Sequence, residues 1–393
     1  MLFIEIQCKK WEHTRINVGM IELCNSVLPD EKIKVYAEQA HIEELRALTA
    51  NEDIEIIANA VEFEDWRFDS LAHSDKYIEL LTGIIQKEAE EKKIILLSCN
   101  IGIIRAVAYV SVKYNDRVFY VALHAALEEA AHEYHANIKN GSYAFWQKVK
   151  NALTGRKPES RREMSVQECI NECISCNCHF IVYAPGYREY LSGKIDREIL
   201  NRFIFLHHPL YNPNDYSAPS NDRLTIGVYG GGVNQNAYNI INIYNEKYDN
   251  GKVLFRVMAE QDNPILCLKN VTRMFEQDYV SNEELEQERK RLDYVLLPYD
   301  HNQYMVTASG ILSDALSEEI PVLMLDSPFL QYYNNYTIGE LLCDVDSMAR
   351  YIAETASDKV ERDKLIEKCR HAEHELKRRI LSDNIKTFGE MIG

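Results

Sequence analysis

At 393 residues the chain is long for one hydrophobic core and comfortable for two. A formal net charge of −17 argues against nucleic acid as a partner, because phosphate contacts need clustered Lys and Arg. Ten cysteines, with an N-terminus (MLFIEIQCKKWEHTR) that lacks the charged-then-apolar order of a signal peptide, lead us to expect a reducing, cytoplasmic compartment. No run of about 18 apolar residues offers a membrane span.

The first half alternates strands and helices. LFIEI is a short strand, and Ile16 to Val27 has helical spacing. KIKVYAE is a strand, followed by a charged helix from His41 to Leu48; IEIIAN is a strand, followed by a helix near Tyr77 to Lys92. KIILLSCN and RVFYVALH are apolar strands bounded by charge, and a helix rich in Ala and Glu runs from Ala125 toward Asn137. A helix near Val166 to Cys176 precedes the strand HFIVYA, and a further helix precedes RFIFLHHP. Repeated strand–helix units imply a parallel sheet covered on both faces. Pro209 to Asp222 carries three prolines with Asn, Asp and Ser and no periodicity, and reads as a linker.

The second half restarts the same architecture. RLTIGVYGGG is a strand and a glycine turn, and Asn236 to Asn245 is a helix. KVLFRVMA is a strand, Glu283 to Arg291 a helix, and DYVLLPY a strand. Gly310 to Leu316 opens a helix, PVLMLD is a strand, and Asp358 to Met391 is a long charged helix.

Ligands of open parallel sheets bind outside the carboxyl ends of the strands. In the first half those positions are Trp11–His13, Glu38–His41, Cys99–Gly102 and His124; in the second they are Gly230–Asn234, Glu260–Asp262, Tyr299–Tyr304 and Asp326. Gly230, Gly231 and Gly232 follow a strand and lead into a helix. Their backbone N–H groups suit a phosphate, and a tight turn is the competing reading. The turn matches neither the dinucleotide fingerprint nor a P-loop. Ser309 and Gly310 put a hydroxyl and a bare backbone at a helix start, suited to a diphosphate. Asp314, one turn further on, is placed to accept from ribose hydroxyls. Tyr299 and Tyr304 are placed to line a pocket for a base or sugar.

His124 is a general-base candidate, since an imidazole near its ordinary pKa takes a proton from a hydroxyl at neutral pH; a structural histidine at a strand end is the alternative. Cys169, Cys173 and Cys176 share a helix face, so with Cys178 and His179 they read as core rather than as a zinc knuckle. His132 and His135, in HEYH, lack zincin spacing and read as a solvated face. Six basic residues between Lys148 and Arg162, preceded by Tyr143, Phe145 and Trp146, suit either a membrane-surface patch or an exposed loop.

The stretch from Asp293 to Asp326 resembles the donor-site segment of GT-B glycosyltransferases, especially bacterial surface-polysaccharide enzymes of the family 1 and family 4 kind. It matches their pattern at Pro298, Tyr299, Tyr304, Ser309, Gly310, Leu312, Ala315, Pro321 and Val322, and has Asp314 where the family usually has Glu. The resemblance implies an α/β chain of two Rossmann-like domains facing across a cleft. The acceptor-side domain would be 1–208 and the nucleotide-sugar domain 223–365, with a linker at 209–222 and a last helix, 366–393, crossing back to the first domain. FLHHPLY resembles the family's entry into the linker. The implied activity is metal-independent transfer of a sugar from a nucleoside-diphosphate donor, a co-substrate rather than a bound cofactor, to a saccharide or lipid-linked acceptor in surface polysaccharide synthesis. Contact with the inner face of the membrane would run through Tyr143–Arg162.

The implied roles follow residue by residue. Gly230, Gly231, Gly232, Asn234, Ser309 and Gly310 would meet the phosphates, and Asp314 the ribose. Val280, within the Tyr279–Ser281 loop, would meet the base, while His13 and His124 would face the acceptor. The chain lacks the first of the two glutamates of family 4 enzymes, near Val306, and GGGVNQNAYNII lacks their Arg and Lys, so Arg256 is a candidate replacement. The alternatives are another GT-B enzyme, such as a UDP-sugar 2-epimerase, or a non-catalytic GT-B binding protein.

Overall fold

A computed structural model describes residues 1–49, 54–64, 70–123, 127, 170–171, 173, 177–192, 197–211, 221–277, 280–299, 304 and 308–392. They form two compact units. One comprises Met1–Asn17, Cys24–Leu206 and Glu390–Gly393, and the other Val18–Leu23 and His207–Gly389.

The first unit is built on seven strands: β1 (Leu2–Ile4), β2 (Ile33–Ala37), β3 (Ile56–Ala60), β4 (Lys93–Leu96), β5 (Val118–Ala122), β6 (Cys178–Val182) and β7 (Phe203–Phe205). They lie in the order β3-β2-β1-β4-β5-β6-β7, every pair parallel. The helices are α1 (Thr14–Val27), α2 (Gln39–Leu48), α3 (Ser74–Lys87), α4 (Ile101–Lys113), α5 (Tyr187–Leu191) and α6 (Arg197–Leu200). The near-continuous burial of β1, β4 and β5 is what a sheet covered on both faces requires.

The second unit carries β8 (Leu224–Val228), β9 (Val253–Val257), β10 (Val271–Arg273), β11 (Tyr294–Leu297), β12 (Val322–Leu325) and β13 (Gly339–Leu342). Their order is β10-β9-β8-β11-β12-β13, again all parallel. Its helices are α7 (Gln235–Ile243), α8 (Asn282–Arg289), α9 (Gly310–Ser317), α10 (Pro328–Asn334), α11 (Val345–Ser357) and α12 (Lys359–Ile392). Ile226 and Phe255 from the sheet pack with Ile240 and Ile241 of α7 and with Met348 and Ile352 of α11 in one buried cluster.

In each sheet the strand order reverses once at a point that leaves a crevice at the carboxyl edge. The crevice lies between β1 and β4 in the first unit and between β8 and β11 in the second. Every element read from the sequence that falls in the described residues is present, with ends moved by a few positions. Helix α4, strands β10 and β13, and helices α10 and α11 are additions. The helix read over Ala125–Asn137, His132 and His135, and the basic segment Tyr143–Arg162 lie outside the described residues, as do most of the helix read near Val166–Cys176, with Cys169 and Cys176, and most of the linker.

Candidate functional site

At the crevice of the second unit the chain leaves β8 and turns through Gly230–Gly232, a single 3₁₀ turn. Gly230 has φ +53°, a left-handed conformation that glycine adopts without strain. Asn234 ends the turn. Its Oδ1 accepts from Ala237 N (3.0 Å) and so caps α7, and its Nδ2 donates to Pro298 O (3.0 Å), tying the turn to the end of β11. The side chain expected at the phosphates therefore acts first as a cap and a tether.

Tyr299 and Ser309 differ from the sequence expectation in the same way. Tyr299 is fully buried, so it cannot line an open pocket. Its hydroxyl lies 2.5 Å from Ser309 Oγ, and burial drives its pKa well up. Ser309 is buried as well; its Oγ accepts from Leu312 N at 3.2 Å and caps α9. Both residues hold the crevice in shape rather than face it, because the cap and the phenol satisfy each other away from water.

Two positions are open. A Cβ added at Gly310, the first residue of α9, would meet nothing within 4 Å. Tyr304, at φ +54°, stacks on Tyr299 with ring centroids 4.3 Å apart. Its hydroxyl reaches so near the glycine turn that a Cβ at Gly231 would lie 2.6 Å from it. The crevice thus combines an α-helix N-terminus, a bare backbone turn and a phenol, a set suited to anionic oxygens.

Asp314 is one-quarter exposed, and its Oδ2 accepts from Arg289 Nη1 at 3.0 Å. Arg289 is fully buried at the end of α8 and also holds Glu318 with two bonds, Nε–Oε2 at 2.8 Å and Nη2–Oε1 at 2.5 Å. Burial works against the Arg289 charge, and the two carboxylates more than offset it. The Asp314 carboxylate is therefore aimed by a buried ion pair that the sequence did not reveal. Arg256, the suggested substitute phosphate ligand, is instead paired with Glu288 and donates to Met274 O, directed at α8.

Beside the turn, Met258 N donates to Val228 O at 3.0 Å, which continues β9 along β8. A cavity of about 620 Å³ opens there, lined by Met258, Glu260, Asp262, Arg273, Phe275 and Gln277 among others. Gln277 donates to Glu284 at 3.1 Å, and Glu284 completes the capping box of Ser281, so half-buried Val280 lies next to this wall. Tyr279 is outside the described residues.

The crevice of the first unit holds His13; His124 lies outside the described residues. His13 precedes α1 with φ +55° and is an exposed residue; its Nδ1 lies 3.4 Å from both Cys8 Sγ and Ser98 Oγ. Ser98 follows β4, and its hydroxyl is among the groups that hold the Glu5 pKa down. Glu5 is wholly buried at the end of β1, where its Oε1 accepts from Gln7 N and Cys8 N (2.9 Å each) and its Oε2 from Asn17 Nδ2 (3.2 Å). Burial raises its pKa, and the four hydrogen bonds oppose that rise. Asn17 Nδ2 also meets His41 Nε2 at 3.0 Å, and His41 Nδ1 meets Lys10 O at 2.8 Å, so this buried ring is neutral, with its pKa lowered to about 4 by burial. Glu5, Ser98 and His41 were not singled out as a set; a lone carboxylate inside the apolar run LFIEI was the available signal.

Among the described residues no three His, Cys, Asp or Glu side chains gather as a metal site. Cys173 and Cys178 are buried, and His179 stacks on Tyr120.

No protein-family model and no curated protein matches the sequence. Solved structures do. Anabaena HepE in complex with UDP and glucose is similar over 100% of this chain and 98% of its own, with a TM-score of 0.60 at 12% identity. A glycosyltransferase from Rickettsia africae gives 0.58 at 11%, over 100% and 98%. S. aureus MnaA with UDP gives 0.53 at 10%, over 94% and 90%. Likeness at such identity speaks for the fold: with its two all-parallel sheets of seven and six strands, this chain has the GT-B fold expected from the Asp293–Asp326 stretch.

Proposed function

We propose that the chain is a glycosyltransferase that moves a sugar from a nucleoside-diphosphate donor to an acceptor hydroxyl. The observation that carries this reading is the crevice between β8 and β11, where the glycine turn, the open Gly310 at the start of α9, the Tyr304 hydroxyl and an ion-paired Asp314 converge. The backbone N–H groups of the turn and of α9 would take the diphosphate, where the helix dipole favours negative charge. Asp314, positioned by Arg289, would receive the ribose hydroxyls. The base would occupy the cavity beside Val280, with Phe275 as a stacking face. UDP in the HepE and MnaA structures supports a uridine donor as the first to test.

His13 is the base we assign on the first unit. The residue is exposed, and its Nδ1 lies 3.4 Å from Ser98 Oγ. Removing a positioned general base costs about 10²–10⁴-fold in rate. His13→Ala is therefore expected to lower kcat by that range with little change in donor affinity. The acceptor is read as a saccharide or a lipid-linked saccharide, and peripheral membrane contact through Tyr143–Arg162 belongs to the same proposal. Among the described residues no helix is long and apolar enough to cross a membrane.

The test is calorimetric binding and turnover with a panel of UDP-, GDP- and ADP-sugars. Binding of one nucleotide with release of the diphosphate on adding acceptor supports the reading. If none of the panel binds or turns over, it is wrong. A sugar isomer formed without acceptor would replace it with epimerase chemistry on the same nucleotide site.

A further inference from the structure

Helices α3 and α4 of the first unit run side by side in the same direction, tied together at both ends. Where they begin, Gly102 N donates to the hydroxyl of Ser70, just before α3 (3.4 Å), and Asn100 Nδ2 donates to Tyr77 OH (3.1 Å). Where they end, Arg117, just past α4, donates to Ile85 O (3.2 Å), Glu88 O (3.3 Å) and Ala89 O (3.1 Å). The pair therefore presents one two-helix face of fixed register.

Most of α4 is buried, and its outer stripe is Arg105, Tyr109 and Val112, at i, i+4 and i+7. Tyr109 and Val112 are each 60% exposed. Between this stripe and α3 opens a cavity of about 520 Å³, lined by Asp75, Ile78, Arg105, Ala108, Tyr109 and Val112. Its two charges, of opposite sign, lie toward the end where both helices begin, and the rest of its lining is mainly apolar. Neither Asp75 nor Arg105 has an ion-pair partner among the described residues. On α3, Gly83 is exposed, and a Cβ there would meet nothing within 4 Å. A glycine inside an exposed helix costs about 1 kcal/mol relative to alanine, and it leaves room for another surface to come close. Single exposed apolar residues are ordinary; two successive ones along a groove that ends in an unpaired acid and base form a patch.

We propose that the α3–α4 face is a dimerisation surface that seats a second copy of this chain through reciprocal Asp75–Arg105 pairs beside Tyr109 and Val112. Charge complementarity selects this occupant, because the patch matches itself. A two-fold axis along the groove, in the plane of contact, lays α3 of one copy over α4 of the other. The helices keep their direction, so Asp75 of each copy meets the partner's Arg105, twice by symmetry. Tyr109 and Val112 then come toward the partner's α3 on the side of Ile78 and Gly83. An axis across the groove would reverse the helices and leave each charge over the far, apolar end. Two helices about 20 Å long and about 10 Å wide offer about 400 Å² per copy, the low end for a specific contact, so the dimer is a reversible one of micromolar strength. None of Asp75, Arg105, Tyr109 and Val112 is assigned to either crevice, so this inference stands or falls apart from the sugar-transfer reading.

Sedimentation velocity of the full chain over about 1–300 µM is the test. The wild type is expected to pass reversibly from monomer to dimer across that range. Tyr109→Asp, which puts a charge into the apolar stripe, is expected to weaken the dimer by about tenfold or more. Arg105→Asp, which sets two acids against each other, is expected to do the same by about tenfold, and so is Asp75→Arg with two bases. Combining Asp75→Arg with Arg105→Asp exchanges the charges and is expected to restore wild-type association, an outcome that a merely unfolded variant would not give. A wild type that stays monomeric at the highest concentration overturns the proposal. So does a dimer that neither Tyr109→Asp nor Arg105→Asp weakens, or a charge exchange that fails to restore what the single changes lose. Cosedimentation of a monomeric wild type with phosphatidylglycerol vesicles, abolished by Tyr109→Asp, would also overturn it and assign the face to a lipid surface.

Discussion

Glu373 lies wholly buried on α12, and neither of its carboxylate oxygens has a hydrogen-bond partner among the described residues. Burial raises its pKa well above 4.5, so the folded chain binds a proton there that the unfolded chain has released. Because the native state binds more protons, stability falls as pH rises from the unfolded value toward the folded one. Each unit of such a shift is worth on the order of 1.4 kcal/mol. Urea unfolding at pH 5 and pH 8 should show Glu373→Gln, which carries no titrating proton, gaining stability relative to the wild type as pH rises. An equal pH response of the two proteins would contradict the buried-acid account. Arg289 is the opposite case, a buried charge with two partners. Arg289→Met removes the buried arginine that Glu318 pairs with and should destabilise by about 3–5 kcal/mol, while Arg289→Met with Glu318→Leu should recover most of that loss, measured by denaturant midpoints. These two residues show why burial alone does not decide the sign; the partner does.

At the level of elements, helix α9 separates structure from function most cleanly. Its cap is Ser309, locked by Tyr299, and its first residue, Gly310, faces open space. Gly310→Ala should therefore leave thermal stability unchanged or raise it by up to about 1 kcal/mol, from helix propensity. The added methyl group would stand where a phosphate is proposed to approach, so nucleotide affinity should fall about tenfold or more by calorimetry. A variant that binds as tightly as the wild type would show that the α9 terminus is not the phosphate site. Helix α12 offers a purely structural counterpart. Asn384 accepts from His207 N (2.8 Å) and donates to His207 O (3.0 Å), clamping the start of the second unit at both backbone groups. Asn384→Ala orphans two buried backbone groups and should cost about 1–3 kcal/mol. The additions to the sequence reading also belong to this scale. Helix α4 is buried over most of its circumference, so it lacks the apolar stripe that marks a helix. Strands β10 and β13 are short edge strands, VTR and GELL, with little apolar alternation to read.

For the whole molecule, acid is the sensitive direction. His41 and His207 are buried, and burial lowers each pKa to about 4 from 6.5. The unfolded chain therefore takes up protons at these rings before the folded one does, and stability falls as pH drops from 6.5 toward 4, by up to about 3 kcal/mol per ring. Thermal midpoints recorded across that window should fall steadily, and His207→Phe should flatten part of the fall. Residue types, order and spacing were enough to determine the two parallel-sheet halves, the break near Pro209–Asp222, and the strand–turn–helix segments that bear Gly230 and Gly310. Such features are local: periodicity, glycine and proline act within a few residues of themselves. Tertiary structure alone decided what each polar side chain does. It turned Tyr299 and Ser309 inward as supports, drew Arg256 to Glu288, and gave Asp314 an arginine 25 residues away. It also joined His13 to Ser98 across 85 residues, because β1 and β4 are neighbours only once the sheet has formed. A hydrogen bond has a direction and a length of about 3 Å, and no pattern along the chain encodes which distant partner will satisfy it.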